Sequence, residues 1–533
     1  TGGLGSSHVV FELADLVSRQ SKTGQIITFD PDLGATPRLG QTISEVERRW
    51  QLRQRKTFVG HHTSIAAPFS PIAPTRIFAD EPPWPTVVGM TLNALDREAP
   101  HPGYWPSPWP VECGGNQRQK ASPGRLDAAT GTASITTVNN GRWNVMVIER
   151  DPGEWFVGGT MAAFSGPPPF GWVQRIDPET LEPVATSPEL PCGEHVWCGA
   201  ILAHANGSIH SINGSYLHRL DPNDLSIVAE MALPADRAHN GLLSLSDGSL
   251  VTKDLRLEGQ GGTTITRLDP DTLEIRDALL LPEGSMGRIA AERTATGDRV
   301  YVPGTEHLWR IDVTPDGMAV DEWQPRYRTA GDHWGLAWDS CLSDDAAWIM
   351  DCGDIESVRM IHNVEPNGRY PEPPGRAMSW RRDAPWPGAQ RLLRISLQDP
   401  HDVVSIEPFG TPGGGIIAPP VHVPEHQMAI TWDSINGGLA GVSTAGGELN
   451  VAWQLDARAS MQPIVFPDSG ELVINDFTAD GSDDLIVVDI TSGALIDRVS
   501  TGSRIANGMF LTAGGARDVF YCSTLYLSRI TWS

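Results

Sequence analysis

A short element recurs along the chain and limits the fold more than any other feature. "RIDPETLEPV" stands at 175–184, "RLDPNDLSIV" at 219–228 and "RLDPDTLEIR" at 267–276. Weaker copies are "RIDVTPDGMAV" at 310–320, "RISLQDPHDVVSI" at 394–406 and "VVDITSGALI" at 487–496. Each reads as two short strands joined by a tight turn. Asp bonds to the turn backbone, Pro presets φ and Gly accepts positive φ. Each copy follows another hairpin, such as "GLLSLSDGSLVTKD" at 241–254 or "PIVFPDSGELVIND" at 463–476. The repeating unit is therefore four strands in about 45 residues, with no helical periodicity.

Units of that size signal a β-propeller. Hairpins begin near 144, 195, 239, 287, 333, 414, 461 and 507, which predicts eight blades, with seven as the alternative. The long interval after 333 holds a Pro-, Arg- and Trp-rich insertion at roughly 355–390. The last unit has only three strands, and "GTASITTV" at 131–138 is the strand expected to complete it. Closing the ring in this way removes sheet edges prone to aggregation. The predicted organisation is an irregular extension over 1–125, packed on the ring and carrying one helix at 42–58, followed by an all-β propeller over 126–533.

The "RLDPDTLE" and "VVDITSGALIDRV" repeats resemble those of the quinoprotein-like propeller superfamily, over about 400 residues. Members carrying pyrroloquinoline quinone have a repeat similar to A-x-D-x-x-T-G-K-x-x-W and an adjacent cysteine pair. Here Asp489 to Ile496 lacks the Lys and the Trp, and no two cysteines are adjacent. The resemblance implies the ring and argues against that quinone as cofactor.

Charge excludes some partners. The net charge of −25 opposes binding to a nucleic-acid backbone or an anionic membrane, since both need a cationic face. No apolar run is long enough for a membrane-spanning helix. A soluble protein, cytoplasmic or exported, is expected. Arginine far outnumbers lysine, which reads as coding bias. Six cysteines allow buried free thiols or one or two disulfides, with Cys192 and Cys198 able to close a small loop. The chain has no GxSxG elbow, HExxH helix or phosphate loop.

The candidate site follows from strand direction. In a propeller the first strand of each blade lines the axis and the second runs back antiparallel. The start of the first and the end of the second therefore share one mouth. That mouth is expected to gather His195, His239 with Asn240, Arg288, Asp332, His333 with Trp334, Gln462 and Asn507, with Asp254 from a second strand. His239 and His333 would act as base, or with His195 as ligands of a divalent metal. Asp254 and Asp332 would orient them or bind metal, and Arg288 would hold an anionic group. Asn240, Trp334, Gln462 and Asn507 would contact the ligand. His61-His62 could join the histidines, and the Pro/Trp segments at 81–89, 101–112 and 381–388 read as lids or as loops stapled to the ring. The leading expectation is a hydrolase or lyase acting on a small organic molecule. A non-catalytic ligand- or protein-binding propeller and a quinone- or metal-dependent oxidoreductase are the alternatives.

Overall fold

The computed structural model describes residues 101–161, 169–195, 197–329, 332, 335, 337–353, 388–412, 414–415, 418–460, 462–478, 482–503 and 508–533, all within one compact unit. The helix expected at 42–58, His61-His62, most of the insertion, His333, Trp334 and Asn507 lie outside the described residues. The rest is all-β, with three-residue 3-10 turns as its only helical pieces among the described residues.

Six sheets have four antiparallel strands each, and a larger sheet runs through both chain ends. Blade 2 is Cys198–Ala203, Ile209–Asn213, Tyr216–Leu220 and Ile227–Ala232. Blade 3 is His239–Ser244, Leu250–Asp254, Thr264–Leu268 and Ile275–Leu280. Blades 4 to 7 begin with inner strands Ala290–Arg293, Cys341–Ser343, Val421–Val423 and Ile464–Phe466. The larger sheet divides by register. The second half of Ala133–Glu149 pairs with Trp155–Met161 and starts blade 1. Its first half pairs with the last strand of the chain, Ala133 opposite Trp532 through Asn139 opposite Tyr526. Asp518–Trp532 likewise serves as two strands of blade 8, its first half paired to Gly508–Ala513. The described residues thus make eight four-stranded units. In blades 5 and 6 the inner strands start some residues later than the sequence suggests, because irregular backbone precedes the regular ladder.

The recurring turn explains the "DPxTLE" signature. Asp269 accepts bonds from the backbone N–H groups of Asp271 at 2.8 Å and Thr272 at 2.9 Å, while its own carbonyl accepts Leu273 N at 3.0 Å. That closure forces Leu273 to φ +61°, and Leu181 and Leu225 adopt +60° in the same place. Such a conformation costs a non-glycine residue about 1–2 kcal/mol. Burial of the leucine side chain offsets it, since Leu225 and Leu273 are fully buried. In blade 7 the position is Gly493, φ +71°, where a Cβ would sit 2.5 Å from the Trp453 ring. Leu273→Ala keeps the strained backbone and removes the offset. It is expected to destabilise the fold by about 2–5 kcal/mol, read as a lowered denaturation midpoint.

Residues 101–127 form a strap on the face where the inner strands end. Trp109 O accepts Glu149 N of blade 1, and Pro110 O accepts Ala203 N of blade 2. Asn116 reaches Ser244 O of blade 3 with its side chain and Ala291 N of blade 4 with its carbonyl. Gln117 O accepts Leu342 N of blade 5, and Lys120 Nζ donates to Pro420 O ahead of blade 6. Val465 of blade 7 exchanges backbone bonds with Lys120 and Ser122, and Arg517 of blade 8 donates to Leu126 O and Asp127 O. The strap therefore touches every blade. The segment at 101–112 lies on this face, opposite the mouth: Trp109 is buried and Trp105 packs on Arg150. All six cysteines are buried and free, so the disulfide alternative is not realised.

Candidate functional site

The blade 3 hairpin sets the geometry of the mouth. Its register pairs His239 with Asp254 and Asn240 with Lys253. A bulge follows Asn240, where Gly241 takes φ +68° and a Cβ would approach Ile289 and Arg288 of blade 4 at 3.2–3.4 Å. Glycine thus lets the two inner strands close up at this level.

His239 is fully buried. Its Nδ1 lies 2.9 Å from Arg237 O, which makes Nδ1 the protonated nitrogen, and Nε2 has no partner among the described residues. Burial pulls its pKa down to about 4, so the ring is neutral at pH 7. Asp254 uses both oxygens in the fold: Oδ1 accepts Thr264 N and Oδ2 accepts Arg256 Nε, both at 2.6 Å. Asp351 does the same with Arg391 N and Nε, and Asp433 accepts from the backbone of Gly415, Ile435 and Asn436. A carboxylate at the end of the second strand thus fixes the backbone that follows it.

Other candidates are more dispersed. Asp332 accepts Thr329 N at 2.9 Å in a local turn. His195 lies in the loop before blade 2, partly exposed, with Nε2 3.0 Å from Asp236 O. Asn240 donates to Met286 O at 3.0 Å, bridging blades 3 and 4, and Gln462 donates to Cys113 Sγ at 3.1 Å. Among the described residues no group of three His, Cys, Asp or Glu side chains is arranged to hold a metal.

Beneath these residues lies a buried ionic layer to which the strap contributes half. Arg118 NH1 is 2.6 Å from Glu112 Oε1, and its NH2 is 3.1 Å from Asp339 Oδ2. Arg288 Nε lies 3.2 Å from Glu112 Oε2, and its NH1 lies 3.7 Å from Asp339. Asp339 Oδ1 also accepts Arg288 N at 2.5 Å. The Arg288 guanidinium stands 5.5 Å from the Trp197 ring centre and 4.9 Å from that of Phe510, and its Nη2 has no hydrogen-bond partner among the described residues. Two carboxylates thus face two guanidiniums, with Lys253 and Lys120 buried nearby. Burial lowers the pKa of both lysines, that of Lys253 to about 7.

Glu112, Cys113, Arg118 and Asp339 escape a reading of blade hairpins. The first three belong to the strap, and Asp339 sits past the expected start of its strand. Lys253 was visible as the neighbour of Asp254.

No protein-family model matches the chain, and no curated protein matches it. Solved structures do. The quinohemoprotein alcohol dehydrogenase from Comamonas testosteroni aligns with TM-score 0.54 at 12% identity, over 81% of this chain and 81% of that one. A europium-containing methanol dehydrogenase aligns with TM-score 0.49 at 12% identity, over 80% of this chain and 90% of that one. BamB from Moraxella catarrhalis aligns with TM-score 0.46 at 11% identity, over 75% of this chain and 99% of that one. At such identities the likeness concerns fold alone. The all-β propeller read from the repeats, and its resemblance to the quinoprotein-like superfamily, hold at that level.

Proposed function

We propose that the channel mouth binds a small organic anion and that Arg288 is its anchor. The observation that carries this reading is the Arg288 side chain itself, 95% buried yet with Nη2 unpartnered among the described residues. A buried guanidinium edge without a partner is costly unless something fills it. The rings of Trp197 and Phe510 beside it suit the apolar part of an organic ligand. His239 adds a neutral imidazole whose Nε2 has no partner among the described residues, and Asn240 an Oδ1 of which the same is true.

If the ligand is turned over, these groups suit a hydrolase or lyase, with His239 and His333 exchanging protons. Asp254 acts through the backbone it fixes, and Asp332 through its turn. The alternative is a propeller that binds the anion without chemistry. The oxidoreductase reading draws on the quinohemoprotein neighbour, but the chain has no adjacent cysteine pair.

The test is calorimetric titration of the full chain with acetate, pyruvate, succinate and citrate. At least one is expected to bind, and Arg288→Met is expected to weaken it about 10–100-fold, the worth of a hydrogen bond to a charged group. A chelator is expected to leave binding unchanged, because the anchor is a guanidinium. Equal affinity in the variant would remove Arg288 from the site.

A further inference from the structure

We propose that Lys253 forms an imine with the carbonyl carbon of an α-oxo acid whose carboxylate Arg288 holds. The proposal deepens the anion-binding reading and rests on it.

The chain uses lysine sparingly: four of its forty basic residues, Lys22, Lys56, Lys120 and Lys253. Both that fall among the described residues are fully buried beside the axis, while arginine and histidine supply the cations of the ion pairs. Coding bias toward arginine explains the scarcity but not that placement. An arginine stays charged, whereas a lysine can give up its proton and become a nucleophile.

The two lysines differ. Lys120 Nζ donates to two carbonyls, Arg118 O at 2.8 Å and Pro420 O at 3.0 Å, and so holds the strap. Lys253 Nζ donates only to Ser285 O at 3.0 Å among the described residues. No described carboxylate lies within ion-pair distance of it, because adjacent Asp254 is turned to Arg256 and Thr264. Asn240 Oδ1 on the cross-strand neighbour and Ser285 Oγ on the residue that accepts its bond are buried polar atoms without partners among the described residues. Arg288 follows Ser285 by three residues, and its charge acts on the amine together with those of Asp254 and Asp339. Desolvation lowers the Lys253 pKa to about 7, so much of the amine is neutral at physiological pH.

The chemistry balances without an oxidant or a metal. The Nζ lone pair attacks the carbonyl carbon, the C=O π electrons move to oxygen, and a proton passes from nitrogen to that oxygen, giving a carbinolamine. Protonation of its hydroxyl and return of the nitrogen lone pair then release water and leave the C=N bond.

The test treats the full chain with pyruvate and then borohydride, and reads intact mass and a peptide map. One reduced adduct on Lys253 is expected, absent in Lys253→Met. Arg288→Met is expected to cut trapping of pyruvate about tenfold more than it cuts trapping of propanal, since propanal has no carboxylate and reads only the variant's general effect on the amine. The map of the unsubstituted chain decides the point even if Lys253→Met fails to fold. No adduct, or an adduct spread over Lys120, the other lysines and the N-terminus, overturns the proposal. Calorimetric binding of pyruvate without trapping also overturns it, and leaves the anion-binding reading standing.

Discussion

Arg118→Met is expected to cost the fold about 3–5 kcal/mol, the usual penalty for breaking one partner out of a buried ion pair. Arg118, Glu112 and Asp339 have no exposed side-chain surface, and Arg288 is 5% exposed. With Arg118 gone, two dry carboxylates share one guanidinium that is already out of hydrogen-bond alignment with Glu112. The effect should appear as a lower denaturant midpoint with little change in slope. Pairing the change with Glu112→Gln restores charge balance and is expected to recover much of the loss, because balanced apolar or neutral replacements of buried ion groups are often tolerated. A cost below about 1 kcal/mol for Arg118→Met would mean that water reaches the layer, as it does at surface pairs.

The second large effect is on pH dependence. Asp483 is fully buried, accepts hydrogen bonds from Asn475 and Tyr521, and has no cation beside it among the described residues. Burial pushes its pKa up to about 7. The unfolded chain releases that proton near the ordinary carboxylate value, about pH 4. Between those values the folded state holds a proton that the unfolded state has lost, so stability falls as pH rises. Three pKa units correspond to about 4 kcal/mol, fully present below pH 4 and lost by about pH 7. Asp483→Asn keeps the shape and cannot ionise. It is expected to be the more stable form at pH 8, with the difference vanishing near pH 4, as followed by denaturation midpoints across that range. Parallel curves for the two proteins would show that Asp483 does not titrate in this window. Asp351, also near 7, contributes in the same direction, moderated by Arg391.

Much of the ring was legible because its signals are local. A tight turn with Asp at its start can be read from "RLDPDTLE" without tertiary context, whereas the buried Leu at positive φ shows only in the structure. The missing fourth strand of the last unit is likewise a matter of counting, and Ala133–Asn139 pairs there. Convergence of His239 with Asp254 and of Asn240 with Lys253 follows from antiparallel register. What could not be read was which of those groups the fold itself consumes. Asp254 looks like a partner for His239 in the sequence, yet both its oxygens bind elsewhere. Nor could the strap be read. "VECGGNQRQK" has no periodicity, because each residue answers to a different blade, so Glu112 and Arg118 gave no sign of meeting Arg288 and Asp339.

The two-ended closure also fixes an order of events during folding. Ser134 meets Thr531 across 397 residues of sequence. The strap, made before the ring, needs residues of all eight blades before its bonds exist. Neither can settle on a growing chain until Asp518–Trp532 has been made. The middle blades can pair within themselves as they emerge, since their strands are consecutive, while the earliest residues wait. Such delayed long-range pairing is slow and leaves strand edges open meanwhile. The ring is therefore most vulnerable to aggregation and proteolysis just before Asp518–Trp532 appears, and becomes resistant to both once that strand pairs.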